Sequence, residues 1–286
     1  MQRIETIPKL KPRAIDAHKG DFGRVCIIAG STGFSGAAAI AGKAALRSGS
    51  GLVRLAVPQS VLPIVAAIEP CYTTIPLAED SSGKISAKAV DTVLKAVEEN
   101  DVVAFGPGVG VSGGVKTILE NLLRLDGVRL VIDADGLNNL AALPDWPGIC
   151  KANLILTPHP GEMKRLWDGL LRKPMPQDRE AIAVEFAGAS KAVIVLKGHG
   201  TVVADTEKVY INTTGNPGMA TAGCGDVLTG VITALCGQGL DNFDASVLAV
   251  YIHGLAGDLA AKDKGQISLI ATDILDYLPQ AFRSIC

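Results

Sequence analysis

The sequence predicts an α/β fold in which a mostly parallel central sheet carries helices on both faces. Short, largely apolar segments such as Val25–Gly30 and Ala192–Gly198 alternate with longer segments of helical periodicity such as Ser86–Asn100. Glycine-rich turns join many of them. A strand, a turn, a helix and a second strand form a βαβ unit, whose two strands lie parallel. No break in composition divides the 286 residues, so we expect a single domain over residues 1–286.

The local pattern predicts each element in chain order. Predicted strands are short and apolar and stop near glycine, proline or acidic residues, whereas predicted helices are longer and repeat apolar residues every three or four positions. The strands are Val25–Gly30, Leu52–Pro58, Asp101–Gly106, Arg129–Asp135, Leu154–Pro158 and Ala192–Gly198, followed by a hairpin of Thr201–Asp205 and Lys208–Asn212. The helices are 37–49, Ser86–Asn100, Val115–Leu125, Met163–Leu171, Arg179–Ala189, Val227–Gly237, Ala245–Lys262 and Thr272–Arg283.

Composition and charge argue against several classes of protein. The net charge is −2 and no long basic segment occurs, so we expect no nucleic-acid partner. The N-terminal segment lacks the apolar centre of a signal peptide, and no stretch of about 20 residues is apolar enough to span a membrane. The six cysteines are scattered without a Cys-x-x-Cys pair, as in reduced cytosolic proteins. The expectation is therefore a cytoplasmic protein.

The segment Asn212–Gly239 has the features of a phosphate-binding site. A glycine-rich loop leads into an apolar helix, and Asp226 lies where the two meet. The first N–H groups of a helix have no partner within it and carry partial positive charge, so they attract phosphate oxygens. A carboxylate at the same point can orient or deprotonate an attacking hydroxyl. The alternative is that Asp226 merely caps the helix.

Other polar loops follow the predicted strands, at the sheet edge where ligands bind in such folds. His159 lies between two prolines, so it cannot be inside a helix, and we favour contact with a ligand. Glu162 either starts the next helix or holds a water or Mg²⁺. Lys197 can meet a phosphate or flank a hairpin turn. Asp133 and Asp135 can face the ligand or form an Asx turn.

Two patterns do not point to a known site. Gly108-x-Gly110-x-x-Gly113 matches the dinucleotide fingerprint, but it lies in the middle of the alternation, so a tight turn close to a ligand is favoured over hydride transfer. His253 lies on a long helix and is interpreted as a packing residue. The absence of P-loop, HExxH, GxSxG and Cys/His-cluster motifs disfavours P-loop enzymes, zinc hydrolases and serine hydrolases.

Six motifs in a fixed order resemble one family. They read HKGDFGRVCIIAGSTGFSG, FGPGVG, VIDADGLN, LTPHPGEMKRL, VLKGHGTVV and NTTGNPGMATAGCGDVLTG. Together they resemble the ADP/ATP-dependent NAD(P)H-hydrate dehydratases of the ribokinase-like superfamily, from about His18 to the C-terminal helix. The epimerase domain that is usually fused to this domain has no counterpart here, so the resemblance is to a stand-alone form.

The resemblance implies a reaction and its partners. The family restores NADH and NADPH from their hydrated S epimers: ADP or ATP phosphorylates the ring hydroxyl, and phosphate is then expelled. Mg²⁺ is the implied cofactor, and a cytoplasmic homotetramer working beside an NAD(P)H-hydrate epimerase is the implied assembly.

The resemblance also implies roles for individual residues, with Asp226 as the base on the substrate hydroxyl. The hydrated cofactor would be bound by Ala41, chosen by spacing over the alternatives Ala37 and Ala39, and by Gly108, Gly110, His159, Glu162 and Asp226. The nucleotide would be bound by Lys197, Gly198, His199, Gly200, Thr201, Asn216, Gly223, Cys224 and Gly225. Glu162 would in addition hold Mg²⁺ through water.

Three alternatives belong to other classes of function. A small-alcohol kinase of the same superfamily, such as one for a vitamin precursor, would share the Gly-Asp segment and the α/β alternation. A nucleotide sensor would bind the nucleotide without needing Asp226 for turnover. A dehydrogenase would use the glycine pattern that begins at Gly108 for NAD-dependent hydride transfer.

Overall fold

The computed structural model describes residues 1–285, which form a ten-stranded sheet between two layers of helices. The strands are β1 (Gln2–Arg3), β2 (Arg24–Ile28), β3 (Leu52–Pro58), β4 (Thr73–Leu77), β5 (Val102–Phe105), β6 (Arg129–Ile132), β7 (Asn153–Leu156), β8 (Val193–Leu196), β9 (Val202–Ala204) and β10 (Lys208–Ile211). Their order across the sheet is β1-β10-β9-β8-β7-β6-β5-β2-β3-β4. Only the pairs of β9 with β8 and β10 are antiparallel within residues 1–285, so the mostly parallel fold is confirmed.

Eleven α-helices accompany the sheet in the described chain. They are α1 (Ser35–Arg47), α2 (Leu62–Ile68), α3 (Val90–Glu98), α4 (Gly113–Leu123), α5 (Asp135–Ala141), α6 (Trp146–Ile149), α7 (Pro160–Leu170), α8 (Arg179–Ser190), α9 (Cys224–Gly237), α10 (Asn242–Lys264) and α11 (Ala271–Arg283). Most predicted elements agree within a few residues, but β1, β4, α2 and α6 are not anticipated by the sequence pattern. The predicted strand Arg129–Asp135 ends three residues early, because Ala134 takes a φ of 52° and Asp135 begins α5.

The alternation of side chains along β2 divides the core into two layers. Val25 and Ile27 pack with α1, α9, α10 and α11, whereas Cys26 and Ile28 pack with α3, α4, α5, α7 and α8. All four side chains are fully buried, as the period of two in a strand requires. The sheet therefore has an apolar layer on each face, in agreement with the predicted architecture.

Helices α1 and α9 approach each other closely because their contact is made of small residues. A Cβ atom at Gly230 would lie 2.2 Å from the backbone oxygen of Ala41, so no other residue fits at that position without displacing α1. Ala41 and Ala45 are fully buried on the facing side of α1. This contact fixes the direction of α9, whose N-terminus then points to the carboxyl ends of the strands.

The strand order reverses beside β2, which places a crevice at that edge. The chain passes from β2 to β3 and β4 on one side and then returns to β5 on the other. The loops after β2 and β5 are joined there, since Gly30 N donates to Pro107 O at 2.8 Å and Ser31 Oγ donates to Gly108 O at 2.7 Å. Ligands bind at such reversal points in open α/β sheets. Between residues 1 and 285, no helix is both long and apolar enough to cross a bilayer.

Candidate active site

The N-terminus of α9 is open to ligands because no side chain caps it. Its N-cap is Gly223, with a φ of 90° and no side-chain hydrogen bond to the first turn within the described chain. The helix begins at Cys224, three residues before the predicted start, so Asp226 is its third residue. Among the described residues, Asp226 therefore makes no capping hydrogen bond, although its place in the first turn favours the helix dipole. The free N–H groups of this first turn can donate hydrogen bonds to a bound anion.

A cavity of about 450 Å³ lies beside this helix end. The loop after β8, the loop after β10, the first turns of α9 and the middle of α10 line it. The volume is in the range of small-molecule sites. Of the nine residues predicted to bind nucleotide, the cavity wall contains Lys197, Gly198, His199, Gly200, Thr201, Asn216, Cys224 and Gly225. The ninth, Gly223, is the N-cap immediately before Cys224.

Asp133 is the centre of a buried polar cluster beneath the helix end. It is 1% exposed at the end of β6. Its carboxylate accepts hydrogen bonds from Thr157 Oγ1 at 2.7 Å, Lys197 Nζ at 2.7 Å and Thr229 Oγ1 at 2.8 Å. Thr157 and Lys197 directly follow β7 and β8, and Thr229 lies in α9, so one carboxylate links the ends of two strands to a helix. The strand-end position of Asp133 was visible in the sequence, but its partners were not.

Lys197 is held inside the protein instead of reaching freely into the cavity. Its Nζ lies 2.7 Å from Asp133 and 3.7 Å from Glu162, and its side chain is 19% exposed. Burial alone would lower the pKa of Lys197, but the charges of Asp133, Glu162 and Asp226 together raise it. A Cβ at Gly225 would lie 3.3 Å from Lys197 Nζ. The ammonium group is thus a fixed positive charge just behind the first turn of α9.

Asp226 and Glu162 are acids whose protons are held unusually strongly. Burial, together with the negative charges of Asp133 and Asp135, raises the pKa of Asp226 to about 7 against the opposing charge of Lys197. Burial likewise raises the pKa of Glu162 to about 7, with Lys197 as the main opposing charge. A carboxylate with a pKa near neutrality is suited to take up a proton during a reaction.

His159 and Glu162 form the N-terminal cap of α7. His159 Nδ1 accepts from the N–H groups of Gly161 at 3.0 Å and Glu162 at 3.3 Å, and a Glu162 oxygen accepts from His159 N at 2.8 Å. Burial lowers the pKa of His159, as do the positive charges of Lys197 and Arg165. The lowered pKa keeps the ring neutral, and a neutral ring can accept these two hydrogen bonds and so cap α7. The His159 side chain is half-exposed and its Nε2 lies 3.3 Å from Glu162 Oε1, so contact of His159 with a ligand stays a prediction.

The two predicted glycines after β5 lie at the crevice, but Ala41 does not. Gly108 and Gly110 have φ values of 65° and 72°, and Gly110 N donates to Asp135 Oδ2 at 2.9 Å. Ala41 is fully buried against Gly230, so it cannot line an open pocket. The alanine near Gly108 is Ala37, whose Cβ would lie 3.1 Å from a Cβ added at Gly108. The prediction for Ala41 is corrected accordingly.

The dinucleotide fingerprint does not form a phosphate site here. Ser112 Oγ accepts from Val115 N at 3.2 Å and so caps α4. A pyrophosphate bound in the Rossmann manner would need that helix end free. The dehydrogenase alternative therefore lacks its structural requirement.

Two residues that the sequence did not place in a site also face the cavity region. His253 lines the cavity from α10, and burial lowers its pKa to about 4, so the ring is neutral. Asp258, one turn further along α10, binds the loop after β10. Neither position carried a sequence signal beyond a polar residue on an otherwise apolar helix.

A mostly parallel sheet, a glycine-rich loop that leads into an uncapped helix and an aspartate in its first turn define a protein of the ribokinase-like class. The sequence agrees with a particular family within it. Residues 25–280 match the profile of the NAD(P)H-hydrate dehydratase family, and the chain belongs to that family.

Similar proteins of known name support the same family. The bifunctional NAD(P)H-hydrate repair enzyme Nnr of Moorella thermoacetica is 44% identical over 97% of this chain, which covers 52% of that relative. The chain thus spans about half the length of the curated relatives it matches. An ADP/ATP-dependent NAD(P)H-hydrate dehydratase from Bacillus subtilis, co-crystallized with ATP/Mg²⁺, is 30% identical and covers 96% of this chain and 94% of its own, with a TM-score of 0.80. Ribokinase of Thermotoga maritima, 12% identical over 90% of this chain and 99% of its own, has a TM-score of 0.55 and supports the fold alone.

Proposed function

We propose that this chain dehydrates the S epimer of hydrated NADH and NADPH in a reaction driven by ADP or ATP. The observation that carries the proposal is the uncapped N-terminus of α9, which opens on a cavity and carries Asp226 in its first turn. Family membership selects this reaction from the many that a phosphate-binding helix end can serve.

Asp226 would be the base in the first step. With a pKa of about 7 it is partly ionised at neutral pH, and it would take the proton of the ring hydroxyl as that oxygen bonds to the terminal phosphorus. The bond between that phosphorus and the nucleotide breaks at the same time. The free N–H groups of α9 and the charge of Lys197 behind them would stabilise the transferring phosphoryl group.

Elimination would follow from the phosphorylated ring. The bond from the ring carbon to the ester oxygen breaks, inorganic phosphate leaves, and the neighbouring carbon loses a proton as the double bond forms. The sum is hydrated cofactor plus ATP giving reduced cofactor, ADP and phosphate, or the corresponding reaction with ADP giving AMP. Phosphorylation thus converts a poor leaving group into a good one.

The site fits a Mg²⁺ ion that arrives with a nucleotide better than one held by the protein alone. Within residues 1–285, no cluster of three or more His, Cys, Asp or Glu side chains could hold a metal. Mg²⁺ in kinase-type sites is held by phosphates, waters and one or two carboxylates, and it neutralises charge on the phosphates when bound. Glu162, buried beside Lys197, is the carboxylate that would meet its water shell.

The decisive assay mixes purified protein, hydrated NADH, Mg²⁺ and either ADP or ATP. We expect the absorbance of the reduced nicotinamide ring to return together with release of phosphate. Phosphorylation of a small alcohol without any recovery of NADH would instead assign the chain to the kinases. Turnover that survives Asp226→Ala would refute the role of that residue.

The assembly and location proposed for the chain follow from the same reaction. A homotetramer that works with an NAD(P)H-hydrate epimerase would handle both epimers of the hydrated cofactor. Its place would be the cytoplasm, where reduced cofactors and nucleotides meet. Light scattering of the purified protein tests the tetramer.

A further inference from the structure

The loop that follows β10 forms one wall of the cavity and is tied to α10 along its length. Asn212 Nδ2 donates to the backbone oxygens of Thr214 and Val250, both at 3.1 Å. Thr214 Oγ1 donates to Tyr251 O at 2.8 Å. The shape of this wall, residues 212–220, is therefore set by contacts with a neighbouring helix as well as by its own sequence.

Asp258 makes the two contacts nearest the tip of this loop. One carboxylate oxygen accepts from Gly215 N at 2.9 Å and the other from Asn216 Nδ2 at 3.0 Å. Gly215 has a φ of 106°, a conformation that side chains disfavour and that needs support from outside the loop. Asn216 Oδ1 in turn accepts from Gly218 N at 3.0 Å, which caps the short 3₁₀ helix Pro217–Met219.

The surface of α10 is shaped to receive the loop. A Cβ at Gly254 would lie 2.2 Å from Thr214 Oγ1, and one at Gly257 would lie 2.3 Å from Met219 Sδ. Position 254 must be glycine for the loop to lie where it does, because a Cβ there would also lie 2.7 Å from the backbone carbon of Thr214, whereas at position 257 the flexible Met219 side chain would have to move. Glycine lowers the stability of a helix interior, so the close packing of the loop on α10 comes at the expense of helix propensity.

The charge of Asp258 makes direct contact with a nucleotide unfavourable. A carboxylate repels phosphates, yet Asp258 lies under a wall of the cavity that would receive them. Both carboxylate oxygens of Asp258 accept hydrogen bonds from N–H groups of the loop, which explains why an acid lies at this position. Asn216, predicted to bind the nucleotide, has its amide oxygen and one N–H committed to the same network.

We propose that Asp258 is a positioning residue that holds loop 212–220 in the conformation that receives the nucleotide, with Asn216 as the link between them. The inference rests on the proposed nucleotide-dependent function and names a residue outside the cavity wall that would set nucleotide affinity. Asp258 touches neither reacting group, so its loss changes binding more than chemistry.

The test compares Asp258→Asn and Asp258→Ala with wild type and with Asp263→Asn. Asp263 lies on the same helix in an exposed pair with Lys264 at 2.9 Å and is the matched control. We expect Asp258→Asn to raise the KM and Kd for Mg-ADP or Mg-ATP by about tenfold, since one charge-assisted hydrogen bond is lost. The kcat should stay within about threefold and the KM for hydrated NADH should not change. Asp263→Asn should leave all values unchanged.

Hydrogen exchange separates this inference from the proposed reaction. The Gly215 amide and its neighbours in loop 212–220 should exchange at least about tenfold faster in Asp258→Asn without any nucleotide, while the core strands keep their protection. Unchanged exchange, an unchanged nucleotide Kd, or a loss confined to kcat would overturn the inference. Weakened nucleotide binding in a protein that does not restore NADH would uphold the inference and refute the proposed reaction. Isothermal calorimetry gives the Kd in either case, and failure of wild type to bind nucleotide would refute both.

Discussion

Replacing Lys197 by methionine tests whether the buried ion pair with Asp133 holds the site together. Asp133 is 1% exposed, and within residues 1–285 the change leaves its carboxylate with only the hydroxyls of Thr157 and Thr229 as donors. Removing one partner of a buried pair costs about 3–5 kcal/mol. For 286 residues the entropy of unfolding is about 0.6 kcal/mol/K, so the melting temperature should fall by about 5–8 °C.

Scanning calorimetry measures this change, and the surface provides a control. Lys164 forms an exposed pair with Asp168 at 2.8 Å, and Lys164→Met should cost less than about 1 kcal/mol. The double variant Asp133→Asn with Lys197→Met should recover at least about 2 kcal/mol relative to the sum of the single changes, because Asp133 then no longer leaves an unpaired buried carboxylate. A Lys197→Met protein that melts within about 1 °C of wild type would refute the reasoning.

Four further predictions concern Asp226 and the helix end. Asp226→Asn should lower kcat by about 10²-fold or more while nucleotide still binds in calorimetry; a loss under about threefold would place the base elsewhere. Because the pKa of Asp226 is raised to about 7, kcat/KM should rise with pH through about 7, and Asp133→Asn should move this limb to lower pH by removing a like charge; an unmoved limb in the pH profile would contradict the coupling. The same raised pKa means that the folded state binds the proton of Asp226 more tightly than the unfolded state does. The contribution of this proton to folding stability is therefore present below pH ~4 and lost as pH rises to ~7. Asp226→Asn should flatten the pH dependence of the melting temperature over that window. Gly225→Ala should melt like wild type, because Gly225 has an ordinary φ. The variant should bind nucleotide weakly, because its Cβ would lie 3.3 Å from Lys197 Nζ at the anion-binding surface. Unchanged affinity would show that the phosphates lie elsewhere.

The sequence predicted the location of the site because parallel strands bring their carboxyl ends to one edge. The loops that contain Asp133, His159 and Lys197 follow successive strands, and the segment before Asp226 leads into a helix with a recognisable apolar pattern. Local pattern and chain order suffice for that much. The functional roles of these residues stay predictions until the assays above are done.

Contacts between distant segments could not be predicted in the same way. Asp133 and Lys197 are 64 residues apart, and Asn216 and Asp258 are 42 apart. Nothing in either local pattern shows which donor a buried carboxylate will find. The expectation for Ala41 failed for a related reason: an alanine-rich helix presents small residues on every side, and only packing against Gly230 decides which side faces α9. Strand β4 was missed because Pro76 interrupts its pattern, which an edge strand tolerates.

The buried charges of the site also explain why it lies at the meeting point of so many elements. Asp133 lies 2.7 Å and Glu162 3.7 Å from a single ammonium group, and the charge of Asp226 acts on the same group. Glu162 and Asp226 have a pKa near 7 because burial opposes their ionisation. Such a cluster destabilises the folded chain when all three acids are ionised. Two large apolar layers, one on each face of the sheet, offset that cost. A carboxylate that binds its proton weakly would be a weaker base toward a ring hydroxyl. The burial that makes the site costly to fold is therefore the property that would let Asp226 accept a proton at neutral pH.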